Sequence, residues 1–265
     1  MKKTILLSIS LLIMNFVTSQ NINTYLDKYK LYPNMISQHS DGEWFLSTKP
    51  IESGTPELVK ITPVSRTEAK IDTLDYGFYL NISKLSNDGD HLLYAFADTI
   101  QDVRKTYMRP YKNGELGEPT DFRAFTGLES LTYFMVDKDD NVYFYSYSKS
   151  PKGIYLVLKQ KDGKYSEAKL LIPKRPDLVP FSPLLLDKST MLMAMHGEDD
   201  QSTNGIYVSK KTDNTWAKPI KIEDMPYGWS LGFDSDGNLI YINAKTRRIE
   251  RYSQNTIRKA IDKTI

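Results

Sequence analysis

A short turn sequence followed by an apolar run recurs five times along this chain. The last turn residue lies at positions 42, 89, 141, 189 and 237, so successive copies are 47, 52, 48 and 48 residues apart. The copies are Ser40-Asp41-Gly42, Asn87-Asp88-Gly89, Asp139-Asp140-Asn141, Asp187-Lys188-Ser189 and Ser235-Asp236-Gly237. A repeat of about 50 residues indicates that one supersecondary unit is built again and again.

Each unit reads as hairpins, because apolar runs stand on both sides of a turn that favours positive φ. The middle units carry a second turn, at Asn113-Gly114, Asp162-Gly163 and Asp213-Asn214. Two hairpins make a four-stranded antiparallel sheet, and such sheets repeated around an axis make a propeller. The sequence therefore predicts an all-β fold, a five-bladed β-propeller of four-stranded antiparallel blades. The predicted blades are residues 34–75, 76–125, 126–174, 175–223 and 224–265.

Composition agrees with a β fold, since aromatic residues make up 12% of the chain and no long stretch keeps a helical period. The two ends of the repeat region are less regular. Residues 255–265 fit either the outer strand of the last blade or a short helix, and we favour the strand. We expect residues 25–32 to pair with the last blade, because an unclosed ring would leave exposed sheet edges.

The first residues are typical of a secretory signal peptide. Lys2 and Lys3 precede an apolar run over residues 5–17, and small or polar residues follow it. We predict cleavage between Ser19 and Gln20, which leaves residues 20–265 as a single domain; an uncleaved anchor is the alternative. Cleavage removes two of the 35 basic residues and leaves 33 against 33 acidic ones. We expect a bacterial periplasmic or secreted protein with no stable membrane insertion after cleavage.

Several function classes are excluded by composition. The chain has no cysteine, which excludes disulfide scaffolds, thiolate zinc sites and cysteine nucleophiles. It has no basic stripe, so we expect no nucleic-acid partner. Acidic groups at residues 137–140 and 198–200 are interpreted as solvated turns rather than calcium ligands. The three histidines have no G-x-S-x-G partner, and we predict neither a metal nor a cofactor.

The candidate site lies where the chain enters the innermost strand of each blade. In a propeller these loops meet around the central channel at one face, here called the upper face. Flat rings beside carboxylates suit sugar stacking and hydroxyl recognition, or a peptide segment. The alternative is that these acids simply cap turns. The predicted ligand-binding residues are Asp75, Tyr76, Tyr79, Glu129, Asp177, Asp224, Tyr227 and Trp229.

These residues predict a binding or interaction module with a protein or carbohydrate ligand, and we expect a monomer. The alternative function is a glycoside hydrolase that uses two of the upper-face carboxylates as acid and base or nucleophile. No other motif for catalysis is present, so we lean against an enzyme.

The turn followed by an apolar strand resembles the TolB-type β-propeller repeat, a periplasmic relative of the WD-repeat propellers. Ser40-Asp41-Gly42 and Ser235-Asp236-Gly237 match its S-P-D-G-like turn without the proline. The segments 107–119 and 207–219 resemble the element that follows it, and the resemblance spans about residues 34–252. It implies blades and says nothing about chemistry. Residues 209–216 also share Ser209, Thr215 and Trp216 with a sialidase-type aspartate box, but Lys211 replaces its aspartate.

Overall fold

The computed structural model describes residues 22–48, 57–76, 79–85, 90–98, 103–122, 132–146 and 149–265. The predicted signal peptide, residues 1–19, lies outside the described residues. Within them the chain forms five antiparallel sheets that follow one another in sequence order. None of the helices in this part of the chain is long and apolar enough to cross a membrane.

The sheets have the following strands. Blade 1 contains β1 (Pro33–Gln38), β2 (Trp44–Thr48), β3 (Glu57–Pro63) and β4 (Ala69–Tyr76). Blade 2 contains β5 (Tyr79–Leu85), β6 (His91–Asp98), β7 (Val103–Lys112), β8 (Glu115–Leu116) and β9 (Thr120–Asp121). Blade 3 contains β10 (Thr132–Val136), β11 (Val142–Ser146), β12 (Gly153–Val157) and β13 (Lys169–Pro173). Blade 4 contains β14 (Leu178–Asp187), β15 (Thr190–Gly197), β16 (Gly205–Thr212), β17 (Thr215–Trp216) and β18 (Ile220–Lys221). Blade 5 contains β19 (Gly228–Phe233), β20 (Leu239–Asn243) and β21 (Ile249–Tyr252).

The first strands of the five sheets form a closed ring. Strand β1 contacts β5, β5 contacts β10, β10 contacts β14, β14 contacts β19, and β19 contacts β1 again. The five-bladed β-propeller predicted from the repeat is therefore confirmed. The fifth blade departs from the four-stranded pattern, since its sheet has three strands in the described part of the chain.

The recurring turns at residues 40–42, 139–141, 187–189 and 235–237 join the first and second strands of their blades, at the end of the ring here called the lower face, and the turn at residues 87–89 lies outside the described residues. In blade 5 the Asp234 carboxylate accepts hydrogen bonds from the backbone N–H groups of Asp236 (3.0 Å) and Asn238 (2.8 Å). Gly237 between them has a φ of 77°, which glycine adopts at little cost. Blade 3 repeats this arrangement at Asp137, Asp139, Asp140 and Asn141. The repeat in the sequence is thus a side-chain-capped turn.

Helix α1 (Ile22–Lys28) lies where blades 5 and 1 meet. Its buried residues Ile22, Tyr25 and Leu26 pack with apolar side chains of both blades. The Asn23 side chain donates to the Ile249 carbonyl oxygen (2.9 Å) and accepts from the Ile249 N–H (2.9 Å), as a fourth strand would. The pairing expected for residues 25–32 is wrong: residues 22–28 form a helix that packs between the two blades, and Asn23, outside residues 25–32, makes the hydrogen bonds to the last blade.

Residues Gln254–Thr264 form helix α2, so the strand favoured for residues 255–265 is wrong. Ser253 caps the helix by accepting from the Thr256 N–H (3.2 Å). Ile257, Ala260 and Ile261 recur at the i, i+3, i+4 spacing and are buried against blades 4 and 5. The capping serine and this apolar stripe stabilise a helix rather than a strand.

All five inner strands contain a one-residue β-bulge. The bulges lie between Pro33 and Met35, Leu80 and Ile82, Thr132 and Met135, Phe181 and Leu184, and Trp229 and Gly232. Tyr133, Ser182 and Ser230 lie within them at positive φ values of 47°, 47° and 59°. A bulge bends its strand and redirects the side chains beside it.

Hydrogen bonds link the inner strands β14, β19 and β1 near the middle of the ring. The Ser230 N–H donates to Ser182 Oγ (3.1 Å), and the Ile36 N–H donates to Ser230 Oγ (2.8 Å). Ser230 is 0% and Ser182 4% exposed. These buried hydrogen bonds tie the inner strands of blades 4, 5 and 1 together.

Candidate functional site on the upper face

The structure describes the side chains of four of the eight predicted site residues. Those four are Asp177, Asp224, Tyr227 and Trp229. Asp75 and Tyr76 lie at the end of β4 and Tyr79 begins β5, but their side chains are outside the described part. Glu129 is outside the described residues altogether.

Both described acids are ion-paired. Asp177 accepts from Arg175 Nε (3.1 Å) and Nη2 (2.7 Å), and these hydrogen bonds hold the pKa of its carboxyl below the usual range. Asp224 binds Lys263 Nζ (2.9 Å) near the end of α2. Asp224 is thus tied to the helix packed outside blades 4 and 5, whereas Asp177 immediately precedes β14.

Trp229 joins blade 5 to blade 1. Its Nε1–H donates to the Asn34 carbonyl oxygen (2.6 Å), and the Arg247 guanidinium lies 4.7 Å from the centre of its ring. The ring also packs against three hydrophobic clusters of the core. Trp229 therefore has a structural role, and its predicted contact with a ligand stays a prediction.

Four aromatic side chains from blades 3, 4 and 5 meet near the upper face. Phe181 is 5% exposed, and its ring centre lies 4.9 Å from that of Tyr133, 5.5 Å from His196 and 6.4 Å from Tyr227. The three surrounding residues are partly exposed. We call Tyr133, Phe181, His196 and Tyr227 the aromatic cluster. It offers a ligand several ring edges and faces above one buried ring.

The bulges and the strand ladder place these side chains. Tyr133 lies in the bulge of β10, and Phe181 directly precedes the bulge of β14. His196 stands on β15 opposite Val179, near the upper end of that strand. Tyr227 immediately precedes β19. Each residue thus lies near the start of an inner strand or the end of a second strand, and both of these lie toward the upper face.

Tyr227 and His196 of the aromatic cluster are neutral near pH 7. Burial, with a smaller effect from Tyr133, raises the pKa of Tyr227 to about 12. Burial also lowers the pKa of His196; Lys174 lowers it further and Glu198 opposes this. Neutral phenol and imidazole groups both donate and accept hydrogen bonds. This combination suits a neutral ligand with hydroxyl groups and an apolar face.

Sequence reasoning identified Tyr227 but missed Tyr133, Phe181 and His196. Tyr133 carried a usable signal, since it stands near the start of a predicted inner strand, as Tyr79 does in blade 2. Phe181 and His196 carried none, because the bulge and the pairing of β14 with β15 bring them together. No alternation pattern in the sequence reveals a bulge.

The acidic groups considered for calcium have other roles. The Asp137 carboxylate caps its turn, Glu198 binds Lys174 (2.9 Å), and Asp200 accepts from the Ser202 N–H (2.8 Å) at a short 3-10 helix. Among the residues placed by the structure, no group of three histidine, aspartate or glutamate side chains could hold a metal ion.

Comparison with known proteins identifies the architecture. No protein-family model matches the chain. No curated protein matches it either. A gluconolactonase from Xanthomonas campestris is similar in structure, with a TM-score of 0.51, 11% identity, and 84% of this chain and 76% of that one covered. A PQQ-bound aldose sugar dehydrogenase from Streptomyces coelicolor has a TM-score of 0.53, 12% identity, and 83% and 76% coverage. At such identities the likeness shows the propeller fold alone.

Proposed function

We propose that this protein is a propeller-based binding module whose upper face binds a carbohydrate through the aromatic cluster. The observation that carries the proposal is the arrangement of Tyr133, His196 and Tyr227, each partly exposed, around the buried ring of Phe181. Sugar rings have apolar C–H faces that pack on aromatic rings, and their hydroxyls match neutral donors and acceptors. A protein segment with an exposed ring is the other ligand class that this surface suits.

The described carboxylates favour binding over hydrolysis. A glycosidase needs a general acid whose pKa is raised, whereas Arg175 lowers the pKa of Asp177. Asp224 is exposed and bound to Lys263. Neither acid has the apolar surroundings that keep a carboxyl protonated. We therefore infer that these two groups hold loops in place and contribute hydrogen bonds to a ligand at most.

We also infer that the protein is exported and that its blades are of the TolB-like type. Export rests on Lys2, Lys3 and the apolar run over residues 5–17, with cleavage before Gln20. The blade type rests on the turn sequences at residues 40–42 and 235–237, which resemble the TolB-type repeat. An exported binding module would meet polysaccharide and oligosaccharide ligands outside the cytoplasm.

The test is a calorimetric screen with soluble cello-, xylo- and manno-oligosaccharides, followed by a reducing-sugar assay on every ligand that binds. Tyr227→Ala should weaken binding about tenfold, because about 1.4 kcal/mol of ring contact is lost. Tyr165→Ala is the matched control: Tyr165 is also partly buried against a phenylalanine, 5.0 Å from Phe122, but belongs to the β12–β13 hairpin of blade 3.

Equal effects of the two substitutions would contradict the proposed site. Release of reducing sugar would replace the binding function by hydrolysis. Binding of a protein partner that is weakened by Tyr227→Ala, with no sugar bound, would keep the site and change the ligand class.

A further inference from the structure

A cavity lies between blades 3 and 4, at the opposite end of the ring from the aromatic cluster. Its volume is about 440 Å³, which is within the range of about 300–1,000 Å³ typical of small-molecule sites. Met135, Leu184, Leu185 and Phe233 supply its apolar wall. Met135 and Leu184 are almost completely buried, at 5% and 4% exposure. We call this cavity the basic pocket after the three lysines that line it.

Three lysines line the basic pocket: Lys138, Lys188 and Lys211. Lys138 and Lys188 each directly follow an aspartate, Asp137 or Asp187, that caps the turn between the first two strands of its blade. Blade 5 has the short Ser235 at this position. Within the described ranges, none of the three ammonium groups makes an ion pair or a side-chain hydrogen bond.

Two of the three carboxylates at the pocket are already engaged. Asp137 accepts from the Asn141 N–H (2.9 Å) and from Asn141 Nδ2 (3.0 Å). Asp187 accepts from the N–H (2.9 Å) and hydroxyl (3.0 Å) of Ser189 and pairs with Arg258 (3.5 Å). Asp139, exposed at the rim, is the remaining one. The three lysines and three aspartates balance in formal charge, but Asp137 and Asp187 already accept hydrogen bonds, so the lysines supply the free donors of the pocket.

We propose that the basic pocket binds a small organic anion, with an apolar or ring-shaped body on Met135, Leu184 and Phe233 and its charged group among the three lysines. Ammonium groups bind carboxylate, sulfonate or phosphate oxygens through charge-assisted hydrogen bonds. Because the apolar wall includes the partly exposed Leu185 and Phe233 and the lysines stand beside it, one cavity offers contacts to both a ring and a charged group. This site is independent of the aromatic cluster.

The probe is 8-anilino-1-naphthalenesulfonate, which joins an aromatic body to one sulfonate. We expect saturable, blue-shifted fluorescence with the folded protein, and displacement by benzoate but not by benzyl alcohol, which has a similar shape without the charge. Added NaCl should weaken binding, since the lysines are solvent-accessible.

The variant K138Q/K188Q/K211Q should weaken probe binding about tenfold or more, from three ion pairs of modest strength. The control K161Q/K164Q/K169Q removes the same charge from exposed lysines of the β12–β13 hairpin and should leave the affinity unchanged. Tyr227→Ala should also leave it unchanged, which separates this site from the upper face.

Three results would overturn the proposal: no saturable binding of the probe, equal weakening in both triple variants, or displacement by benzyl alcohol as effective as that by benzoate. Circular dichroism at equal concentration checks that each variant is folded. All six lysines are at least partly exposed, so their replacement leaves the core intact.

Discussion

Closure of the ring at Asn23 allows a quantitative test of how the first and last blades are joined. Asn23 makes two hydrogen bonds to the backbone of Ile249, both 2.9 Å long, in place of a fourth strand. Ile249 is 6% exposed, so water does not freely replace these partners. A net hydrogen bond contributes about 0.5–1.5 kcal/mol. Asn23→Ala should therefore lower the free energy of unfolding by about 2 kcal/mol.

The assay is urea unfolding followed by tryptophan fluorescence, since Trp44 and Trp229 both lie in the hydrophobic cluster that α1 covers. For a domain of this size, about 2 kcal/mol corresponds to a fall in Tm of about 4–8 °C. Asn255→Ala is the control, because Asn255 is exposed on α2 and its replacement favours the helix slightly.

Asn23→Asp separates the two hydrogen bonds. The carboxylate can still accept from the Ile249 N–H, but it places a second acceptor against the Ile249 carbonyl oxygen. It should destabilise the protein at least as much as alanine does. The reasoning is refuted if Asn23→Ala changes stability no more than Asn255→Ala, or if Asn23→Asp is as stable as the parent chain.

Two further predictions concern the upper face. Trp229→Ala should lower the free energy of unfolding, measured in urea, by about 3–5 kcal/mol, as for other large packed side chains. The reason is that Trp229 packs on three clusters and donates a hydrogen bond to Asn34. A loss below about 1 kcal/mol would contradict its structural role. His196 has a pKa below its ordinary value of 6.5 in the folded protein, so the unfolded chain binds its proton first and stability should fall as the pH drops below 6.5. The difference in urea midpoint between the parent and His196→Gln should therefore vary between pH 7.5 and 5, and a constant difference would rule this out.

The blades were predictable because their turns are local. Asp234 and the residues up to Asn238 form a capped turn by themselves, and Gly237 marks the positive φ in the sequence. A period of such turns then determines the number of sheets. Local chemistry repeated at a fixed interval is the kind of pattern that a single sequence records.

Helix α2 was predictable in principle. Ser253 followed by Ile257, Ala260 and Ile261 is a helix cap with an apolar stripe. The expectation of a last outer strand came from the repeat and outweighed this local pattern. In the structure, helical periodicity and capping prevail because α2 buries its stripe against blades 4 and 5.

The functional surfaces were less predictable because they depend on neighbouring blades. Phe181 meets Tyr133 and Tyr227 across two blade boundaries, after bulges that the sequence does not reveal. Trp229 was predicted to contact a ligand, yet the Arg247 guanidinium lies over its ring. Lys138 and Lys188 stand 50 positions apart in the sequence and line one cavity only because blades 3 and 4 are adjacent.

The buried hydrogen bonds of Ser230 also bear on how many blades the ring contains. Ser230 of the last blade bonds both Ser182 of the blade before it and Ile36 of the first blade. A ring with one blade more would separate β19 from β1 and leave the buried Ser230 hydroxyl and Ile36 N–H without partners. An unsatisfied buried polar group costs about 1–3 kcal/mol. The serine contacts thus favour direct contact between the last blade and the first over a further blade between them.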